Sequence, residues 1–339
     1  MLYIIFPIMV ACVAGLSILP AAPYLPAATG LIVYPFVLGF FPILDMMIRK
    51  LDRPDNTLTT KPIHQLALLI VLPIMLTLIL GGLYRLNITS EGIIPAMMMG
   101  VAIGMYSGAI GMTAAHELIH RTSPRWRALG IGILVLVQYG HFRIEHIYGH
   151  HIHVATEKDP ATARKGEGYY RFLMRCIFMS YLSAFAIEQR RIKNKKLGVF
   201  SRHNRMLHYL VMQAAILVIS YAIAGLSGLV FVLTQAAVAI ILTEAVDYIQ
   251  HYGLMREHED GKTQPIQPEH SWNSRHAVGD WTTFNIGLHS HHHTSGTTPY
   301  PELSQQQEHH EMPGNYAVMI LMALLPPLWF KVMDKRLPA

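Results

Sequence analysis

The chain has 339 residues, 52% of them hydrophobic and only 14% charged, a balance that excludes an ordinary soluble domain and fits an integral membrane protein. Its two cysteines, Cys12 and Cys176, exclude a disulfide framework, an iron site held by four thiolates and a CxxC redox pair, so electrons for any redox chemistry have to come from another molecule. The net charge of +6 suits anionic lipid or an acidic partner, and nothing in it points to nucleic acid.

In chain order, apolar runs predict transmembrane helices at about 2–20, 30–48, 63–83, 92–115, 207–224 and 226–247, each long enough to cross a hydrocarbon core of ~30 Å. The first run lacks a basic leading segment and a small-residue cleavage site, so it reads as a retained helix. Lys and Arg gather in RKLDRPDNTLTTK (49–61), in 121–205 and in the tail KVMDKRLPA, while the loops after spans one, three and five carry only Arg85. By the positive-inside rule both termini and the segments 116–206 and 248–339 are cytosolic. The shorter apolar stretches 126–142 and 316–330, the second broken by Pro326 and Pro327, are expected to be interfacial or re-entrant covers over the cytosolic side. With no internal repeat, 1–339 reads as one domain. The expected fold is an all-α integral membrane protein of six spans, with a cytosolic-side histidine-rich di-metal site under interfacial helices.

Ten of the twenty histidines fall into four groups: HELIH (116–120), EHIYGHH (145–151), DYIQHYG (247–253) and HSHHH (289–293). Residues three or four apart share a helical face, so His116 with His120, His146 with His150, and His289 with His292 or His293 are each expected to clamp an ion. His291, two positions after His289, points about 160° away and is expected to lie outside the ligand set. Imidazole suits iron, zinc, copper and nickel, whereas magnesium and calcium want oxygen ligands. Ten imidazoles exceed what one ion takes, which implies two ions. His64, His203, His208, His258 and His270 stand apart, His309 and His310 read as a solvated loop, and His141, His153 and His276 lie near enough to hydrogen-bond a ligand. Glu145, Asp159, Glu244 and Asp247, with Glu117 as a further candidate, are the acids placed to hold the other ring N–H of a ligand histidine. Glu244 and Asp247 stand inside a membrane helix, where an acid is costly and functional by default. On span four, Met97–Met99, Met105 and Met112 mix with Gly100, Gly104, Gly108 and Gly111, which suits close helix packing and also a narrow apolar channel down to His116. In the channel reading, bulk at Gly104 or Gly108 shortens the chain that is accepted.

HELIHR (116–121), EHIYGHHIHVATEKDPATAR (145–164), TEAVDYIQHYGL (243–254), SWNSRH (271–276) and LHSHHH (288–293) resemble, in order, the signatures of the membrane-bound alkane 1-monooxygenases, the alkane omega-hydroxylases of the histidine-box hydroxylase and desaturase group. The resemblance runs from about 110 to 334, and the long second motif is its most specific part. It implies a non-haem di-iron enzyme of the bacterial inner membrane that uses O2 to hydroxylate the terminal methyl of medium-chain alkanes, with electrons from rubredoxin and its reductase. The implied iron ligands are His116, His120, His146, His150, His151, His251, His289, His292 and His293. The chain departs from the family pattern at Gly287 and Leu288 (usually Gln-Arg), at His291 (usually Asp), at Gln250 (usually Glu) and after the last box, where an Arg is missing from TSGTTPYPEL. Related alternatives are a xylene-type methyl hydroxylase, a fatty acid decarboxylase that forms terminal alkenes, and an acyl desaturase, the last disfavoured by VATEKDPATAR. A histidine-rich zinc or nickel transporter fits less well, because transporters place ion sites near the midplane within repeats.

Overall fold

The structure is a computed structural model that describes residues 1–19, 24–48, 59–259, 262–307 and 309–338. Pro20, at the end of the first expected span, and residues 49–58 of the basic loop lie outside the described residues. The helices are α1 (Leu2–Ile18), α2 (Ala27–Met47), α3 (Pro62–Thr89), α4 (Ile93–Ile119), α5 (Pro124–Leu136), α6 (Tyr169–Asn194), α7 (Arg205–His251), α8 (Ala277–Thr282), α9 (His289–Thr294), α10 (Tyr316–Ala323) and α11 (Pro326–Met333). Among the described residues strand structure is confined to two-residue pairs, His258–Glu259 with Lys262–Thr263 and Trp272–Asn273 with His310–Glu311.

Five helices, α2, α3, α4, α6 and α7, are long and apolar enough to cross a membrane, and α1 is a shorter apolar helix. α7 is not one rod. Ala224 (φ −134°) and Gly225 (φ +59°) break it, and a Cβ on Gly228 would stand 2.3 Å from the Ser220 carbonyl oxygen, eight residues back. Eight residues of straight helix cover about 12 Å. The chain therefore reverses at Ala224–Gly225, the break expected between 207–224 and 226–247, and forms two antiparallel arms.

The sequence reading left α6 inside a cytosolic segment, because Arg171 and Arg175 interrupt its apolar run and its mean hydropathy, 1.2, is well below the 2.7 of α3. Its buried residues, Tyr169, Phe172, Cys176, Ser180, Ala184, Glu188 and Ile192, form one stripe, while Met174, Phe178 and Leu182 point outward. At one end the Tyr169 hydroxyl donates to the Ile241 carbonyl (2.7 Å) and its ring meets Tyr248; at the other, Glu188 pairs with Arg205 (2.6 Å). These contacts fall on the later part of one α7 arm and the first residue of the other. α6 thus meets both arms of α7, one with each of its ends.

The bundle end away from His251 is tied by one buried ion pair. Arg85 donates to Glu91 (2.6 Å), to the Ser17 carbonyl (2.6 Å) and to the Leu19 carbonyl (3.0 Å), while Ser227 donates to the Glu91 carbonyl (3.0 Å). This joins the ends of α1 and α3, the start of α4 and the α7 turn, and it gives the Arg85 of the sequence reading a buried partner. α4 packs along the 226–251 arm through Gly100, Gly104 and Gly108, whose added Cβ atoms would stand 2.7 Å from the Phe231 carbonyl, 2.6 Å from Val238 Cβ and 2.9 Å from Leu242 Cδ1. Small residues four apart let two membrane helices approach at backbone distance. α5 doubles back along α4, with Gly130 beneath the Ala115 carbonyl and Ile133 beside Gly111.

A leucine at Gly104 is expected to wedge α4 from α7 and destabilise the bundle by about 1–3 kcal/mol, whereas a leucine at Gly39, which has nothing within 4 Å, leaves it intact. Folded yield by size exclusion and resistance to proteolysis distinguish the two variants.

Candidate metal centre

The ends of α4 and α7, the segment 142–153 and the short helix α9 meet at one end of the bundle and bring nine histidines together in two groups. His116, His120, His146, His151 and His292 form the first; His150, His251, His289 and His293 form the second. Within each group the nearest ring nitrogens lie within 4.8 Å of one another. In the first, Nε2 of His146 stands 3.0 Å from Nε2 of His120 and 3.1 Å from Nε2 of His151, which is 3.0 Å from Nε2 of His292. In the second, Nε2 of His289 is 2.9 Å from Nε2 of both His251 and His293, and Nε2 of His293 is 3.3 Å from Nε2 of His150.

The expected clamps are partly redrawn. His116 and His120 do share a group, but His146 and His150 do not, because 146–150 is a π turn and not an α turn. Its wider period sends His146 and His151 to one group and His150 to the other. On α9, His289 pairs with His293, four residues on, while His292 crosses to the first group.

Burial pushes His120, His146, His151, His289, His292 and His293 well below the usual histidine value, so these rings are neutral and carry a bare nitrogen. Such nitrogens cannot all hydrogen-bond one another. Two imidazole nitrogens held at right angles, each about 2.1 Å from one cation, stand about 3.0 Å apart, the spacing seen here. The buried Nε2 of His116 and the Nδ1 atoms of His251, His289 and His293 have no partner among the described residues. The donor set therefore fits two soft-to-borderline divalent ions bound by nitrogen alone.

Of the acids, Asp159 touches a group directly. His150 Nδ1–H donates to Asp159 Oδ2 (2.9 Å), leaving Nε2 to face the cluster, and Thr162 Oγ1 (2.6 Å) and the Ala161 amide (3.1 Å) also donate to Asp159. Burial alone would raise this carboxyl, but His150 and Thr162 hold it below its ordinary value. Glu145 is pushed up to about 8, by burial first and then by the charge of Asp159, and takes a long bond from Ser183. Glu244 accepts from the Tyr139 hydroxyl (2.7 Å), and Asp247 lines a cavity beside His116 and His289. Glu117 turns away to Arg121 (2.5 Å) and the Tyr300 amide (3.2 Å). His291 leaves the cluster and accepts from the Ser304 amide (2.9 Å). His153 is also outside both groups, His141 packs on Tyr139 and Tyr181, and His276 meets Ser274. Tyr139 and Thr162 escaped the sequence reading; Thr162 sits in the second motif, three residues after Asp159, while nothing local marks Tyr139.

Two adjoining cavities lie beside the cluster, and the smaller reaches the histidines. The smaller is lined by His116, His289, Met112, Asp247 and Gln250; the larger runs between α2, α4, α7, α8 and α10. Gly108, Thr113, Val246 and Ile286 line both, so the two form one passage. Gly108 is on its wall. Gly104 is not, and the reading of Gly104 as a channel residue is corrected to helix packing against Val238.

The fatty acid desaturase family profile matches residues 93–322, the stretch from the start of α4 into α10. The chain is 35% identical to "Alkane 1-monooxygenase 1" of Pseudomonas aeruginosa over 89% of its length and 81% of that protein, and 36% identical to "Alkane 1-monooxygenase" of Acinetobacter baylyi over 87% of its length and 74% of that protein. The chain belongs to the alkane 1-monooxygenase family. It is an oxidoreductase of the histidine-box group. A more distant likeness, 29% over 69% of the chain and 62% of the relative, is to the xylene/toluene monooxygenase hydroxylase component of Pseudomonas putida.

The departures from the family pattern have structural roles here. A Cβ on Gly287 would stand 2.1 Å from the Ser274 carbonyl, and the Gly287 carbonyl accepts from the Ser274 amide (2.9 Å), so this backbone approach requires glycine. Gln250 Nε2 donates to the Ile286 carbonyl (3.3 Å) and contacts the Tyr316 hydroxyl.

His291→Ala is expected to keep near-normal metal per chain and His292→Ala to lose it, by elemental analysis of purified protein. Asp159→Asn should weaken metal binding by about 10–100-fold, since it removes the group that orients His150.

Proposed function

We propose that the chain is a membrane-embedded di-iron monooxygenase that converts medium-chain alkanes to 1-alkanols with O2 and electrons from rubredoxin and its reductase. The observation that carries this reading is the apolar passage between helices that ends on two all-histidine groups. The named relatives support it. The nine histidines would hold two iron ions, which when bound supply the reduction of O2 needed to attack an unactivated C–H bond. The balance is R–CH3 + O2 + 2 e⁻ + 2 H⁺ → R–CH2OH + H2O.

The chain's own residues position and shield. The passage walls, Val37, Leu38, Met105, Leu242 and Ile320 among them, strip water from an alkane and hold its methyl toward His116 and His289. Asp159 keeps His150 in one tautomer, and the Tyr139–Glu244 bond fixes an acid in the α7 wall. We read α1, α2, α3, α4 and the two α7 arms as six crossings, with α6 lying at the interface and the histidines and both termini on the cytosolic side of a bacterial inner membrane. The charge pattern and the polarity of the bundle support this orientation. A xylene-type methyl hydroxylase is the second reading, favoured by the likeness to the xylene/toluene enzyme.

With rubredoxin and its reductase supplied, membranes carrying the chain are expected to form 1-alkanols from a series of alkanes. The rate at subsaturating donor should fall as salt screens the attraction of an acidic donor to the basic face. Val246→Phe, at the neck of the passage, should lower the longest chain accepted. Turnover with reduced nicotinamide alone, or better turnover of xylene than of octane, would overturn the assignment.

A further inference from the structure

Away from the histidine groups the protein buries a cation without an anion. Arg143, on the short helical turn Phe142–Glu145, is 9% exposed, enters no ion pair among the described residues, and its Nε has no hydrogen-bond partner among them. The hydroxyls of Tyr148 and Tyr209 lie beside its guanidinium, and the Arg205 guanidinium stands over the Tyr148 ring, 4.9 Å from its centre. Burial alone would raise the Tyr148 hydroxyl, but Arg205 and Arg143 hold it below its ordinary value. The carboxylate that faces this group from α6, Glu188, is already occupied. Arg191 donates to both of its oxygens (2.8 and 2.6 Å), and so does Arg205, through its amide (2.7 Å) and its side chain (2.9 and 2.6 Å). Arg143, Arg191 and Arg205 therefore stand against one carboxylate. Tyr148 is 39% exposed and the Arg205 side chain 21%, so the group opens to the outside. Further along the same arm of α7, Leu210, Val211 and Met212 are exposed, followed by Val218 and Ile219. From Arg205 to Leu210 is about 7 Å of helix, close to the thickness of one headgroup layer.

We propose that Arg143, Arg205, Tyr148 and Tyr209 form a binding site for the phosphate of an anionic phospholipid, whose acyl chains lie along the exposed face of the first α7 arm. A guanidinium suits a phosphodiester because its planar N–H groups pair with two phosphate oxygens at once. The two hydroxyls add donors, and Arg205 adds a second cation. An unpaired buried charge is costly, and a phosphate at Arg143 offsets that cost. Inorganic phosphate would make the same polar contacts but leave the apolar face below the site bare, so the lipid gains more. A zwitterionic headgroup would bring its own ammonium to a place already in excess of cations. Phe142, next to Arg143, stacks on His146, so an occupied site braces the turn that leads into the first histidine group. The proposal rests on the reading of α7 as a crossing that begins at Arg205 and is independent of the reaction the histidines support.

The test uses the full chain, purified in detergent and stripped of lipid, then offered phosphatidylglycerol or phosphatidylcholine with the same acyl chains; native mass spectrometry reads the lipid bound. Wild type should bind phosphatidylglycerol at least about tenfold more tightly than phosphatidylcholine. Arg143→Gln, which removes the charge and keeps hydrogen-bond donors, should abolish that preference. Where Arg143→Gln does not fold, Tyr148→Phe combined with Tyr209→Phe leaves every charge in place and should reduce it in the same direction. Arg171→Gln, at an exposed arginine near the other end of α6, should leave it unchanged. Equal binding of the two lipids by wild type overturns the proposal, as does an equal loss in Arg171→Gln. Release of phosphatidylglycerol by millimolar inorganic phosphate also overturns it, by making the free ion the ligand. Binding in detergent does not depend on orientation in the membrane, which is read separately from a His208→Cys variant. Labelling of that variant, above the parent chain, by an impermeant maleimide outside intact cells removes the cytosolic placement and leaves the phosphate site standing.

Discussion

Nine bare or buried imidazoles aimed at two points are the constraint on which this molecule turns. Neutral rings whose Nε2 atoms stand 2.9–3.1 Å apart repel through their lone pairs, and no arrangement of ring protons pairs them all. A protein tolerates such a cluster in its interior when cations fill it and when the surrounding helices are held firmly enough to keep the rings converged. The rest of the fold supplies that rigidity. α4 and the second arm of α7, which carry His116, His120 and His251 at their ends, are locked along a glycine stripe. The Arg85–Glu91 pair fastens the far end of the same two helices, so their site-carrying ends have little freedom to splay.

Packing demand and substrate access compete along α4. Gly100 and Gly104 serve packing alone, while Gly108, one turn further toward the histidines, both touches Leu242 and lines the passage. The helix changes character there, with a π turn from Ser107 to Met112. A π turn rotates the following residues relative to an α-helical course, and Thr113 and His116 come to line the cavity next to the second group. A second π turn, 146–150, divides the histidines of the EHIYGHH motif between the two groups. Both irregularities sit where function needs side chains that a regular helix would send elsewhere.

The family pattern is kept in the histidines that converge and relaxed around them. His291 hangs on Ser304, Gln250 braces the Ile286 carbonyl and Tyr316, and Gly287 allows the loop before α9 to lie against Ser274. These changes rebuild the support of the site without entering either histidine group.

The sequence determined the membrane character, the apolar runs and the helix break at Ala224–Gly225, because hydrophobic length is a local property of a chain, and clustered imidazoles together with the family resemblance pointed to the nine histidines that converge. It also placed His291 outside the groups, since the direction of a side chain on a short helix follows from its position. Which histidine joins which group was decided by tertiary structure, because π turns depend on packing that local spacing does not report, and the expected pairing of His146 with His150 failed for that reason. The same holds for α6, whose two arginines hid a long amphipathic helix, for the Tyr139–Glu244 bond across 105 residues, and for the passage itself. A cavity is a property of the space between elements, and its walls come from residues of α2, α4, α7, α8 and α10 that share no local pattern.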